Sequence, residues 1–197
     1  MTPELFLAFA TFAFVSSATP GPNNMMLLAS GANFGMRRTV PHMLGVGIGF
    51  SVMILGLGLG LVALFERFPV AYDVLKGIAV IYMLWLAWKI AHASAPDSAR
   101  AGGKPFTFFQ AAGFQWVNPK AWAMALTALT AYAPGQTLAA VGLVALIFGA
   151  INLPTVAVWA LLGREMRRFL TNPRRLTVFN WTMAAALLAS LWPVLFA

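Results

Sequence analysis

The sequence predicts an all-α integral membrane protein with six transmembrane helices arranged as a 3+3 inverted repeat, helices one and four being broken. Three observations carry this prediction. Of the 197 residues 60% are hydrophobic and 9% charged, with mean hydropathy +0.80, whereas a soluble domain carries about 25% charged residues. The apolar residues gather into six runs, each near the ~20 residues that a spanning helix needs. The first and fourth runs are interrupted by polar, proline-containing stretches at corresponding places.

In chain order, span one covers Glu4 to Asn33 and is interrupted at Thr19–Asn23. The turn Gly35-Met36-Arg37-Arg38 leads to span two, Pro41 to Leu64. The connection Phe65 to Pro69 precedes span three, Val70 to Ala91. A polar linker, Ser94 to Lys104, is the longest break. Span four runs from Phe106 to Tyr132, interrupted at Asn118-Pro119-Lys120. The turn Pro134-Gly135-Gln136 opens span five, Leu138 to Leu162, and a basic loop, Arg164 to Arg175, precedes span six, Leu176 to Phe196. The domain reading is one membrane domain over 1–197: a first three-helix half at 1–93, a cytoplasmic linker at 94–105 and a second half at 106–197.

Cysteine is absent, which excludes a disulfide framework, thiol chemistry and a cysteine-held metal. The net charge of +8 reads as a topology signal rather than as a nucleic-acid footprint. Arg37, Arg38, Lys89, Arg100, Lys104, Arg164, Arg167, Arg168, Arg174 and Arg175 flank one side, and Arg67 and Lys76 the other. Basic residues favour the cytoplasm, so both termini are expected on the outer side. Trp85, Trp88 and Trp181 near the inner face and Trp192 near the outer fit aromatic belts. The start, Met1-Thr2-Pro3-Glu4, lacks the basic region of a signal peptide, so the first span is expected to be retained.

Pro20 and Pro22 lack backbone donors and Gly21 adds freedom, so a regular helix cannot continue through them. Irregular backbone at membrane depth persists only where it is buried in protein or lines a wet cavity. Paired interruptions in the two halves point to a transporter site at the repeat interface. Asn118 before Pro119 reads as an N-cap followed by proline at the first helical position. Gly21-Pro22 reads the same way, with Asn23 and Asn24 in the first turn. Two half-helix starts at mid-depth aim unpaired amides and positive dipole ends at the interior, a clamp for a carboxylate. The candidate substrate-binding residues are therefore Thr19, Pro20, Gly21, Pro22, Asn23, Asn24, Asn118, Pro119, Lys120 and Asn152. The asparagines have a second reading: they satisfy the broken backbone and nothing more.

Lys120 lies inside span four, where a lysine costs roughly 2.5–3.5 kcal/mol on insertion scales. It is expected to face the bundle interior or a wet cavity, or to snorkel to the inner face. The alternative, a cytoplasmic marker at the start of the span, leaves only Asn118 to Tyr132 to cross. Asp73 and Lys76 read as a local ion pair, or Lys76 as an outer gate contact. Asn152, in Asn152-Leu153-Pro154-Thr155, lines the pathway or makes a helix–helix hydrogen bond. Gly45, Gly49, Gly56 and Gly60 share about a 60° sector of span two, with Gly47 and Gly58 nearly opposite. These two seams admit close neighbours. No Asp or Glu falls in the middle of a span, so any ion coupling would need Glu4, Glu66, Asp73, His42 or a lysine; as lone histidines near the inner face, His42 and His92 read as surface residues. No triad, metal set or phosphate loop is visible, so neither catalysis nor a cofactor is expected.

Ala18-Thr19-Pro20-Gly21-Pro22-Asn23 resembles the signature of the lysine-exporter/RhtB (LysE) family of amino-acid exporters. The resemblance extends through Gly35-Met36-Arg37-Arg38, Leu84-Trp85-Leu86-Ala87-Trp88-Lys89 and Phe114-Gln115-Trp116-Val117-Asn118-Pro119-Lys120. Ala87-Trp88-Lys89-Ile90-Ala91, the Lys104-Pro105 to Asn118 stretch and Trp159-Ala160-Leu161-Leu162-Gly163 look closest to the branch exporting cysteine and O-acetylserine. The resemblance implies a six-span exporter of small amino acids in the bacterial inner membrane, proton-driven and homodimeric. It carries the functional positions over to Thr19–Asn23 and Asn118–Lys120. The expectation is thus export of small neutral amino acids or derivatives, cysteine/O-acetylserine-like or homoserine/threonine-like. The expected partners are that substrate, lipid and a second copy of the chain, and not nucleic acid. The rival readings are a passive channel or facilitator and a non-transporting scaffold subunit.

Overall fold

The computed structural model describes residues 1–61, 67, 69–93, 104–133 and 137–190. The linker 94–103, the turn 134–136, Glu66, Trp192 and the side chains of Asp73 and Lys76 lie outside the described residues, and so do both readings of Lys76. Among the described residues there are eight α-helices and no strand: α1 (Pro3–Ala18), α2 (Pro22–Phe34), α3 (Met36–Gly56), α4 (Pro69–Ala91), α5 (Phe108–Phe114), α6 (Pro119–Tyr132), α7 (Leu138–Arg167) and α8 (Pro173–Ala189). A π turn, Leu57–Leu61, prolongs α3, and a 3-10 turn, Gln115–Val117, prolongs α5.

The starts are written locally. Thr2, Asn118 and Asn172 each accept a first-turn N–H and are followed by proline, whose missing donor is no loss there. Thr107 and Gln110 form a capping box on α5, and Thr137 caps α7.

Among the described residues two helices, Met36–Leu61 and Leu138–Arg167, are each long and apolar enough to cross a membrane, and α1 with α2, bent by 54°, makes a third candidate span. Large apolar side chains face outward around the bundle, among them Phe109 (82% exposed), Ile81 (70%) and Leu146 (69%). Such a surface suits lipid rather than water.

Several boundaries differ from the sequence expectation. The turn expected over Gly35–Arg38 contracts to Gly35, whose φ of 76° turns the chain within one residue. Helix α3 then starts at Met36, and Pro41 lies inside it. Helix α7 continues to Arg167, placing Arg164 and Arg167 in its last turn, where cations suit the helix dipole. Helix α8 begins at Pro173 rather than Leu176, because Asn172 supplies the cap.

Helix α7 organises the bundle. It runs parallel to α1–α2: Phe148 packs on Phe9 with ring centroids 5.8 Å apart, Asn152 reaches Ser17, and Gly163 meets the Leu28 carbonyl. It runs antiparallel to α3, whose Ser51 donates to the Ala145 carbonyl at 3.2 Å. The glycine seams of α3 are both used. Gly45, Gly49 and Gly56 face α5 and Trp116, while Gly47 and Gly58 face α7. Gly60 belongs to neither seam, because its φ of 109° breaks the helix there.

One core cluster gathers Phe9, Phe50, Met53, Ala125 and Phe148, and a second gathers Leu27, Met83, Leu86, Phe114 and Leu187. Ser17 and Asn24 along α1–α2, Gln115 and Asn118 along α5–α6, and Asn152 and Thr155 along α7 are buried polar residues that fall between these two clusters.

Candidate functional site

The break between α1 and α2 spans Thr19 to Gly21. Thr19 ends α1 in an extended conformation, φ −62° and ψ 140°. Gly21, also extended, is the N-cap of α2 but supplies no side-chain cap. Since Pro22 has no N–H, the amides of Asn23 and Asn24 are the first-turn donors of α2, and helix geometry leaves them without intrahelical acceptors. The second break centres on Asn118, at φ −94° and ψ 108°, whose side chain accepts from Lys120 N. Both starts fall where the sequence places them.

The two breaks meet. Lys120 reaches across 101 residues, its Nζ donating to Thr19 O at 2.5 Å, to Thr19 Oγ1 at 3.0 Å and to Pro20 O at 3.5 Å. The ammonium therefore sits against the carbonyl end of α1, where a cation suits the helix dipole. Lys120 is partly buried and lines the cleft between the two breaks. Gly21 leaves room for this crossing: a Cβ there would lie 2.6 Å from Lys120 Cδ, so the lysine side chain would have to shift.

The asparagines divide. Asn24 Nδ2 donates to Ser17 O at 2.9 Å and Thr19 O at 2.8 Å, so it satisfies the broken backbone. Asn118 Oδ1 is occupied as a cap, 3.1 Å from Lys120 N. Asn23 exchanges two hydrogen bonds with Gln115, at 2.8 and 3.2 Å, tying the first turn of α2 to the chain just before the second break. Asn152 both donates to Ser17 Oγ at 2.9 Å and lines the cleft. Its buried Oδ1 has no partner among the described residues, a position that costs about 1–3 kcal/mol when left unfilled.

These groups enclose a cleft of about 20 Å³ lined by Ser16, Ser17, Gly21, Asn23, Asn24, Gln115, Asn118, Lys120 and Asn152, with Phe50 and Met124 among its apolar walls. Of the sequence candidates, Thr19 meets Lys120 through its carbonyl and hydroxyl oxygens and Pro20 through its carbonyl, and Pro22 and Pro119 start the two helices. Ser16, Ser17 and Gln115 also line the cleft, although the sequence does not place them among the candidate binding residues. A glutamine inside the apolar Phe114-Gln115-Trp116-Val117 was a visible signal, whereas the serines become informative only when Asn152 is opposite them.

One expectation is overturned. His42 is not a surface residue: it is 1% exposed, with its ring 5.2 Å from that of Phe106. Because α3 starts at Met36, His42 lies in its second turn, beneath the segment that enters α5. His92 is exposed, as expected.

An apolar helical body in which broken helices meet around buried polar groups is an integral membrane helix bundle. The chain belongs to the LysE type translocator family, whose sequence profile matches residues 14–191. It is similar to the cysteine/O-acetylserine efflux protein of Klebsiella pneumoniae subsp. pneumoniae, 37% identical over 193 residues that cover 95% of each chain. The proteins of the same name from Salmonella typhimurium and Escherichia coli K12 are 34% and 32% identical over 171 residues, covering 85% of this chain and 87% of theirs. No solved structure matches it.

Proposed function

We propose that this protein exports small neutral amino acids or their derivatives across the bacterial cytoplasmic membrane, with O-acetylserine and cysteine as the first candidates and homoserine and threonine next. The observation that carries the reading is the direct contact of the two helix breaks through Lys120 and Thr19. A zwitterionic amino acid needs donors for its carboxylate and an acceptor for its ammonium. The first-turn amides of α2 and Lys120 supply the donors, and the unpaired Asn152 Oδ1 supplies the acceptor. Thr19, Pro20, Gly21, Pro22, Asn23, Asn118 and Pro119 hold these groups in place. The names of the relatives support the substrate class.

The transport cycle in this reading is alternating access. The cleft of about 20 Å³ admits roughly one water, so it is closed around the site. Substrate binds when Lys120 leaves the Thr19 and Pro20 carbonyls and α6 separates from α2. The chain then crosses six times: α1–α2, α3, α4, α5–α6, α7 and α8, as two three-span halves joined by the linker 94–105. The basic residues of the α2–α3, α4–α5 and α7–α8 connections face the cytoplasm, and both termini face outward. The chain works as a proton-coupled homodimer, in line with the family resemblance.

Flux into proteoliposomes of purified protein tests this, with O-acetylserine, cysteine, homoserine, threonine, lysine and a sugar control, each with and without an imposed proton gradient. Saturable, gradient-sensitive movement of one or two neutral amino acids is the expected result. Gradient-independent leak without counterflow would identify a facilitator, and no movement from folded protein would identify a scaffold.

Crowding at Gly21 gives a sharper test. Gly21→Ala pushes the Lys120 side chain off the Thr19 carbonyl and is expected to cut flux about tenfold, the equivalent of one hydrogen bond to a charged group. Gly113→Ala, where nothing lies within 4 Å of the added Cβ, is expected to leave flux unchanged. Equal rates for the two variants would count against the crossing as a working part.

A further inference from the structure

A second and larger cavity, about 480 Å³ in volume, lies at the far end of α2. Its walls include Ser30 and Asn33 of α2, His42 of α3, Lys89 of α4, and Lys104 and Phe106 leading into α5. Asn33 is three helical turns beyond Pro22, roughly 16 Å along the axis, so this cavity is separate from the cleft at the breaks. Asn33 is itself held in place, exchanging hydrogen bonds with Asn180 of α8 at 2.8 and 3.3 Å.

The chemistry of the walls is one-sided. Two lysines contribute to them, and no carboxylate does among the described residues. Lys89 Nζ lies over aromatic rings, 5.1 Å from the centroid of Trp85 and 5.5 Å from that of Phe106. These contacts orient the ammonium without neutralising it.

His42 adds an independent observation. It is 1% exposed, and neither Nδ1 nor Nε2 has a hydrogen-bond partner among the described residues. A neutral imidazole offers one donor and one acceptor. A zwitterionic amino acid can meet one of these, its carboxylate taking the imidazole N–H together with the lysines. The volume falls within the range of about 300–1,000 Å³ usual for small-molecule pockets, whereas the cleft at the breaks must open before it admits anything larger than water.

We propose that this cavity is a second substrate site, a loading vestibule that holds a zwitterionic amino acid on His42, Lys89 and Lys104 before it reaches the breaks. The proposal rests on the export reading and deepens it. An anionic lipid headgroup presents a similar anion to the same lysines, so the test must separate the two sources.

The test uses the full chain in phosphatidylcholine vesicles, with O-acetylserine as probe. His42→Phe keeps the ring packing against Phe106 and removes both nitrogens. Its half-saturating concentration, measured from the side bearing Lys89 and Lys104, is expected to rise about tenfold, the loss of one hydrogen bond to a charged group. Half-saturation from the opposite side is expected to stay at the wild-type value. His42→Gln, which retains a donor and an acceptor, is expected to recover most of the affinity, a rescue that a role in packing alone would not give. Lys89→Met provides a second variant should His42→Phe fold poorly, with the same expected shift.

Wild-type half-saturation in both His42→Phe and Lys89→Met would overturn the proposal. So would an effect of His42→Phe seen only when phosphatidylglycerol is added, which would assign the cavity to a lipid headgroup. Equilibrium binding of radiolabelled O-acetylserine separates this proposal from the export reading. If the wild type moves no amino acid yet binds one in a manner that His42→Phe weakens, export fails and the cavity site stands. If transport proceeds normally and His42→Phe binds like the wild type, export stands and the cavity site fails.

Discussion

Lys120→Met is expected to lower amino-acid flux about a hundredfold, equivalent to roughly 3 kcal/mol for the loss of a charge-assisted contact, while the protein inserts, folds and melts at or above the wild-type temperature. Methionine matches the length of the lysine stem and fills the space beside Gly21, so packing is kept. What disappears is the ammonium and its bonds to Thr19 O, Thr19 Oγ1 and Pro20 O. Thr19 O retains a donor, because Asn24 Nδ2 stays 2.8 Å away, so the break is not left unsatisfied. Removing an interior lysine also relieves an insertion cost of roughly 2.5–3.5 kcal/mol. Flux and stability should therefore move in opposite directions. Flux assays paired with thermal unfolding in detergent check this. Flux within threefold of wild type would remove Lys120 from the site, and a fall in both quantities would make it a structural residue.

Gly163→Val is expected to abolish folded protein rather than slow it. Helices α2 and α7 cross backbone against backbone, and the crossing is reciprocal. A Cβ at Gly163 would lie 2.0 Å from Leu28 O, and one at Gly31 would lie 2.1 Å from Ala160 O. Both obstacles are backbone, which cannot rotate aside, so the helices must separate along a seam that carries the second half of span one. Overpacking costs about 1–3 kcal/mol where side chains can shift, and here they cannot. Gly142→Val is the control, on the same helix with nothing within 4 Å. The measurement is the yield of monodisperse protein after size exclusion: near zero for Gly163→Val and unchanged for Gly142→Val. Comparable yields would show that α2 and α7 can part without loss.

Much of the site was legible because its signals are local. Asn118-Pro119 and Gly21-Pro22 announce helix starts through a cap and a missing donor, and both starts fall at those residues. The spacing of Gly45, Gly49 and Gly56 announces a close neighbour, although the spacing does not say that the neighbour is α5. Gly31 and Gly163 gave no such signal, since Gly31 stands alone on α2 and Gly163 lies two turns or more from the other glycines of α7, so only their encounter makes a seam. His42 was misread for a related reason. Proximity to a span end says nothing about which side of the helix a residue occupies, and the earlier start of α3 carried it under Phe106.

From the sequence alone came the class of the protein, the two breaks and the helix starts beside them, because composition, proline chemistry and capping act within a few residues of chain. The tertiary structure decided what those pieces do to one another. It set Lys120 on Thr19 across 101 residues, Asn23 on Gln115 across 92 and Asn152 on Ser17 across 135. Among the described residues it also left Asn152 Oδ1 without a partner while giving Asn24 two. Such pairings depend on which faces meet when helices cross, and a helix crossing is settled by the packing of whole surfaces rather than by any short stretch of chain.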